Sequence, residues 1–574
     1  MRSNSSRFFF IAFALLVAGC VTPQREESVV GDYLSGRLAA RTNNVSAAAA
    51  AFSGAQVDTP GSQRVLRDAF FFQLASGNII QAMPLAEKLT NEQDSDDGLA
   101  KVVLAAREIK NGRYQSARDI LASGVEASYF AATVKIIDAW AATAIEGPNT
   151  GLDMLTVPSV SEFKGFNPLH LALMADKAGR PEDALAAHQL SVMTFGGGIG
   201  RIAFGAFLER SADSDAAREY YELLAQDTGP ERRLARQALA RIDSGEVSQA
   251  YADVSAAEGV SIALYTLAGA ILQQTSNQRA AALRAGFNVG EVNYNLPLLL
   301  TRLSLYLNPS LDDARRFAGS ILNIYGDHEE AIAILETVEF SSPYYEHSLI
   351  EIARSLASLN KNKEALSLLR GAARRDPEAL ELRLSLASLQ ASQNKYSAAV
   401  KTLDDLIGRL DADVDGDAWR YYLARATSLL ELDQWPRAEK DLKRAVEIAP
   451  EEATVLNYLG YSWAERGVNL DEAFGLIEKA VSLEPGSGAI IDSLGWAHYQ
   501  RGDYEEAVGH LEQAASLEPS DPTVTDHLGD VYWRLGRKIE ARYQWRRALE
   551  LEPPIARVDA INAKLDAGLP DADI

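Results

Sequence analysis

The order of apolar and polar positions is helical almost from end to end. In the stretch SLGWAHYQRGDYEEAVGHLEQAASLEP, from Ser493 to Pro519, the apolar and small residues Leu494, Gly495, Ala497, Ala507, Val508, Leu511 and Ala514 fall at the spacings of a helix face. Gly502-Asp503 interrupts the pattern, which predicts two helices joined by a tight turn. Strand-like alternation is nearly absent elsewhere, so the fold class expected is all-α.

The pattern recurs. Pro450, Pro485, Pro519 and Pro553 end successive hairpins and stand 35, 34 and 34 residues apart. Leu459-Gly460, Leu494-Gly495 and Leu528-Gly529 lie in first helices; Ala473, Ala507 and Ala541 open second helices, and Ala480, Ala514 and Ala548 recur further along them. Small residues at these places let paired helices approach closely, and bulky ones fill the seam. Four units in register resemble the tetratricopeptide repeat, and the resemblance implies an α-solenoid with an extended concave face. Earlier units are marked by Ala438, Leu442 and Ala445; by Ala399 and Leu403; by Ala365, Leu369, Ala372 and Pro377; and by Gly319, Ala331 and Leu335. Gly36, Ala39, Ala48, Phe52, Ala55 and Pro60 fit the same template, and degenerate copies surround Ala117, Ala184 and Ala217. The register is lost between about Gly245 and Pro297. Growth by repeats suits a chain of 574 residues, too long for one core of ordinary size. The organisation expected is a degenerate solenoid over 29–244, an irregular helical segment and possible hinge over 245–311, a regular solenoid over 312–555, and a capping helix and tail over 556–574.

The first residues bear on the compartment. Arg2 and Arg7 precede the apolar run Phe8 to Val17, and small residues follow, as in a secretory signal peptide over 1–19. Val17-Ala18-Gly19-Cys20 resembles the lipobox of bacterial lipoproteins, which implies cleavage before Cys20 and its acylation, leaving 20–28 as a tether. Cys20 is the only cysteine of the chain. A chance cysteine in an ordinary signal is the alternative. Each buried methylene of such an anchor contributes roughly 0.8 kcal/mol. Val21 and Thr22 follow where an Asp would favour inner-membrane retention, so by resemblance to sorted lipoproteins the expected place is the periplasmic face of the outer membrane.

A formal net charge of -23 argues against nucleic acid as a partner. His170, His188, His328, His347, His498, His510 and His527 are scattered without a metal-ligand spacing, no nucleophile and base are brought into a known motif, and no cofactor is expected. Gly196 to Gly200 lacks the strand and the Gly-Lys-Ser/Thr of a phosphate loop and reads as an inter-repeat turn. Asp411, Asp413 and Asp415 with Gly416 begin like a calcium-binding EF-hand loop, but Tyr422 stands where the closing Glu belongs, so a solvated acidic linker competes with a weak calcium site. Arg534, Arg537, Lys538, Arg542, Arg546 and Arg547 make the last repeat basic, a solvated face or a contact for carboxylates or headgroups. The best site candidates lie on first helices, opposite the Leu-Gly seam: Asn457 and Tyr461; Asp492, Trp496 and Tyr499; Asp526, Asp530 and Trp533. Aromatics beside carboxylates suit an extended peptide or basic tail; the alternative is that they pack between repeats. His498 and His527 are expected nearer the seam.

The segments LNYLGYSWAERGVNLDEAFGLIEKAV, DSLGWAHYQRGDYEEA and DHLGDVYWRLGRKIEARYQWRRALELEP, with the lipobox, resemble outer-membrane lipoprotein adaptors that bind a carboxyl-terminal processing protease. The resemblance is to long periplasmic repeat lipoproteins and implies a non-catalytic adaptor that brings peptidoglycan hydrolases to the protease. The alternative is an assembly factor for outer-membrane proteins or for a secretion, pilus or polysaccharide-export machine.

Overall fold

The computed structural model describes residues 29–91, 97–122, 128–156, 167–195, 198–211, 214–226, 230–284, 292–410 and 417–570. Cys20 and the Asp411, Asp413 and Asp415 loop therefore lie outside the described residues. Among the described residues every regular element is a helix. The first eight are α1 (Val29–Arg41), α2 (Val45–Asp58), α3 (Gln63–Ala75), α4 (Ile79–Thr90), α5 (Gly98–Lys110), α6 (Tyr114–Ala122), α7 (Ser128–Glu146) and α8 (Pro148–Thr156). Then come α9 (Asn167–Lys177), α10 (Pro181–Phe195), α11 (Gly198–Arg210), α12 (Ser214–Leu224), α13 (Pro230–Ser244), α14 (Ala256–Arg284) and α15 (Asn295–Leu307). The next eight are α16 (Asp312–Tyr325), α17 (His328–Leu335), α18 (Tyr345–Ser358), α19 (Asn362–Arg375), α20 (Leu380–Ser392), α21 (Tyr396–Ile407), α22 (Trp419–Leu430) and α23 (Trp435–Ile448). The last are α24 (Ala453–Glu465), α25 (Leu470–Leu483), α26 (Gly488–Arg501), α27 (Tyr504–Leu517), α28 (Pro522–Arg534), α29 (Lys538–Glu550) and α30 (Ile555–Ala567).

Local chemistry accounts for these boundaries. Asp521 caps α28 by accepting hydrogen bonds from the backbone N–H groups of Thr523 (2.7 Å) and Val524 (3.0 Å), and Pro522 occupies the first turn, where its missing donor costs nothing. Gly502 ends α26 with φ 86°, a left-handed turn that suits a residue without Cβ; Asn360, Asn394 and Asp433 take the equivalent conformation elsewhere. The seam is as tight as the small residues require. A methyl group on Gly495 would stand 2.7 Å from Leu511 Cγ, and one on Gly460 2.7 Å from Ile477 Cγ1. The marker alanines Ala117, Ala184, Ala217, Ala438, Ala473, Ala507 and Ala541 are all buried.

The chain divides into two compact units, one of 1–163 with 255–308, the other of 164–254 with 309–574. This partition crosses the linear division expected from sequence. The described helices of this segment are packed: α14 lies on α7 and α5, and α15 on α3 and α5, so this pair covers the first helices of three hairpins within its own unit. Gly259 lies against the indole of Trp140, Ser261 and Ser304 exchange buried hydrogen bonds, and Leu298, Leu299, Leu300 and Leu303 are fully enclosed. The lost register has its cause here, because a helix buried on several sides has no alternating polar face to reveal its period. By length and composition α14 could cross a membrane, yet 61% of its apolar window is buried inside the protein.

In the second unit, α9/α10 and α11/α12 form hairpins, and α16 to α29 form seven more, each packed chiefly on its chain neighbours. That sequential packing is the mark of a solenoid. Gly198 and Gly200 belong to the first turn of α11 and not to a turn between repeats. Arg233 of α13 joins the early and late parts of this unit. Its guanidinium donates to Glu346 and Asp376 at 2.8 Å each and to the carbonyls of Phe340 (2.6 Å) and Ser342 (3.2 Å).

A candidate protein-binding face on the first helices

Equivalent places on the first helices recur once per repeat. Asn457, Asp492 and Asp526 share one row, and Tyr461, Trp496 and Asp530 the next. The structure brings these residues to adjoining helices α24, α26 and α28, but it uses them differently from one another. Trp496 stacks on Tyr499 (4.6 Å between centroids) and, at 4.0 Å, on His527 of the following first helix. His527 Nδ1 in turn pairs with the Asp492 carboxylate at 2.9 Å. Trp496 thus packs between neighbouring repeats while remaining half-buried, and its contact with His527 adds about 0.5–1.5 kcal/mol if it behaves as an aromatic pair.

The carboxylates are not free to meet a basic tail. Asp492 is buried against His527, and Asp526 and Asp530 are both held by the Lys564 ammonium of α30, at 2.8 and 2.7 Å. Asp530 also accepts the Trp545 Nε1 hydrogen at 2.8 Å. Burial raises the Asp530 carboxyl above its ordinary value, and the Lys564 charge works against that rise. Trp533 is covered as well: its Nε1 donates to the Leu569 carbonyl at 3.2 Å, and Gly568 lies against its ring. The expectation that these acids line an open groove is corrected to that extent. Ile561 and Lys564 stand 34 residues after His527 and Asp530, so α30 occupies the place of the next first helix and closes the row.

What remains accessible is the part of the face on α24 and α26. Asn457, Tyr461, Trp496 and Tyr499 are half-buried there, and Tyr458 is 40% exposed. Burial pushes the hydroxyls of Tyr461 and Tyr499 up to about 12, so both stay neutral donors at any physiological pH. Tyr499 accepts a hydrogen bond from Arg534 Nε at 3.1 Å. Trp496 Nε1 and Asn457 Oδ1 are buried with no hydrogen-bond partner among the described residues. One is a donor and the other an acceptor, and leaving such groups unmet costs about 1–3 kcal/mol each.

Sequence reading missed three participants. His527 was expected near the seam but faces the preceding first helix; its place directly after Asp526 in the repeat row was the available signal. Tyr458 adjoins Asn457 and points outward. Lys564 was one repeat beyond Asp530, past the proline where the register had been closed. The basic residues of the last repeat are largely engaged by the protein itself, most of them with the elements on either side: Arg537 pairs with Glu540 and Glu512, Arg547 donates to the Pro519 carbonyl, and Arg542 to that of Leu565. His498 stacks on His510 and meets Phe474 edge-on, near the seam as expected. Among the described residues no three His, Cys, Asp or Glu gather as a metal ion would need.

Comparison with protein-family models agrees with the repeat. A TPR repeat model matches residues 495–536, and a tetratricopeptide repeat model matches 350–414 and 423–488. A TPR repeat-containing protein of Pseudomonas aeruginosa is 45% identical over 64 residues, which is 11% of this chain and 11% of that protein. Among solved structures, the APC/C hetero-tetramer Cut9-Hcn1 aligns over 93% of this chain and 96% of its own at 15% identity, with a TM-score of 0.37. A tetratricopeptide repeat protein from Parabacteroides merdae aligns over 44% of this chain and 96% of its own at 15% identity, with a TM-score of 0.36. Repeat signatures, close-packed glycine seams and hairpins stacked in chain order lead to one conclusion: this is an all-α protein of the α-solenoid class whose residues 350–414, 423–488 and 495–536 match tetratricopeptide repeats.

Proposed function

We propose that this scaffold is a lipid-anchored adaptor at the periplasmic face of the outer membrane, holding a carboxyl-terminal processing protease close to the cell-wall hydrolases it degrades. The anchor reading rests on the Val17-Ala18-Gly19-Cys20 sequence after an apolar leader. The adaptor reading rests on the repeat signatures of α24, α26 and α28. Tethering two proteins on one scaffold raises the concentration of each for the other without any chemistry from the scaffold itself.

The observation that carries a docking role is the aromatic face of α24 and α26, where Tyr458 is exposed and Tyr461, Trp496 and Tyr499 are half-buried side by side. A partner segment lying across both helices would pack its apolar side on Tyr458, Tyr461, Trp496 and Tyr499, whose ring faces and hydroxyls line the accessible part of the face.

The test is co-purification from solubilised envelopes with a tagged protein, in parallel with Tyr458→Ala and Asn457→Leu variants and with Cys20→Ser. Recovery of a processing protease together with peptidoglycan hydrolases, lost in the face variants, supports the adaptor. Cys20→Ser should release the protein from the membrane fraction. Recovery of barrel-assembly or secretion components without a protease would reject the adaptor in favour of an assembly role.

A further inference from the structure

A second surface, remote in sequence from the aromatic face, is built between the second helices of two consecutive hairpins. Here α10 and α12 stand apart as walls and α11 forms the floor, enclosing a groove of about 770 Å³, within the range that receives ligands. Phe204 and Phe207 make the floor, while Leu185, Tyr220 and Leu223 line the walls. Leu223 is 63% exposed, and Met193, two turns beyond Leu185 on the same stripe of α10, is 84% exposed. Apolar side chains this open are costly unless something covers them.

The charge around the groove selects what that is. Glu182, Glu219 and Glu222 stand among the lining residues and are exposed, and among the described residues no lysine or arginine lines the groove. Against the floor, His188 stacks on Phe204 at 5.8 Å and lies tilted 5.0 Å from Phe207, and its burial holds the imidazole at about 3, so it adds no positive charge at neutral pH. An anionic headgroup or acidic segment would meet three carboxylates, and the nearby Arg218 of α12 is already paired with Asp243 at 2.6 Å. A segment with lysines or arginines flanking an apolar stripe would satisfy both the rim and the floor.

The walls also restrict its conformation. Both are helices whose backbone groups are already paired within themselves, so neither offers an edge to an extended strand. An occupant that satisfies its own backbone is required, and α12, with 11 residues, gives a wall of roughly 16 Å, about three helical turns. We propose that the groove between α10 and α12 is a docking site for a basic amphipathic helix of a protein partner, seated by apolar side chains at i, i+3/i+4 and i+7. This site is separate from the aromatic face and does not rest on the adaptor reading.

The probe is a fluorescein-labelled Leu/Lys amphipathic peptide of about 14 residues, near the length at which isolated helices form, titrated with purified protein by fluorescence anisotropy. A Leu/Glu peptide of the same pattern is the comparison. Saturable binding of the Leu/Lys peptide, weakened about tenfold or more by Leu223→Arg and by Glu219→Lys with Glu222→Lys, and relieved by salt, is expected. Ile539→Arg, at a still more open apolar residue of α29, should leave binding unchanged. All these positions are exposed, so circular dichroism should report intact helix in every variant. The proposal is overturned if the Leu/Lys peptide does not bind, if the Leu/Glu peptide binds as well, or if Ile539→Arg weakens binding as much as Leu223→Arg.

Discussion

Asp313, at the start of α16, shows how much a single buried group can govern. Its carboxylate accepts the Tyr344 hydroxyl hydrogen at 2.6 Å, and both side chains are buried. Burial pushes its acid constant up to about 6, although the Tyr344 hydrogen bond and the nearby Arg316 oppose the rise. The folded state therefore holds the proton more tightly than the unfolded chain, whose value is near 4. Below about pH 4 the group is protonated in both states and its burial costs little; above about pH 6 it is charged in both, and the full penalty is present. Stability should thus fall as pH rises from about 4 to 6, by up to about 3 kcal/mol at 1.36 kcal/mol per unit. Asp313→Asn keeps an acceptor for Tyr344 and removes the charge. Denaturant unfolding at pH 7.5 should find this variant more stable than the wild type, with the difference vanishing toward pH 4.

Helix against helix, the decisive contact in the second unit is Arg233. The guanidinium is 4% exposed and is shared by two carboxylates, two carbonyls and the rings of Phe340 and Tyr345. Removing one member of a buried ionic cluster leaves the others unpaired, which typically costs about 3–5 kcal/mol. Arg236 lies 3.2 Å from Glu346 and softens that loss. Arg233→Ala should destabilise the unit by about 2–4 kcal/mol, and hydrogen exchange should speed up in α13 and around residues 340–346 before it does in α24 to α29. Arg233→Lys should rescue little, since an ammonium cannot present the same planar fork.

The whole molecule consists of two compact units, each stabilised by contacts of its own, and unfolding in more than one step is expected of such a chain. Gly259 and Gly495 test this separately, because a methyl group at either position meets a neighbour inside the helix spacing, Trp140 in one case and Leu511 in the other. Overpacking of this kind costs typically about 1–3 kcal/mol. Gly259→Val should lower the calorimetric transition that carries the protection of α7 and α14 in hydrogen exchange and leave α24 to α29 unchanged. Gly495→Val should do the reverse. A single transition shifted equally by both would show that the units do not unfold independently.

The sequence by itself determined the helices, the hairpins and the period over the carboxy-terminal repeats. Those features are local: a Gly or Ala facing a bulky residue one helix later, a proline at each hairpin's end and a turn residue between the helices all recur at short range. Asn457, Tyr461, Trp496 and Tyr499 were legible as a face for the same reason, since a face of a helix is fixed by spacing alone. The tertiary structure alone decided what each member of that face is doing. Nothing in the spacing says that Lys564, a repeat beyond the last clear proline, neutralises Asp526 and Asp530, or that His527 spends Asp492. The place of α14 and α15 was likewise invisible, because their partners α3, α5 and α7 lie more than a hundred residues away and a pattern of residues carries no information about which distant face it will cover. Period is a property of the chain, whereas burial and pairing of charges belong to whatever the folded chain brings alongside.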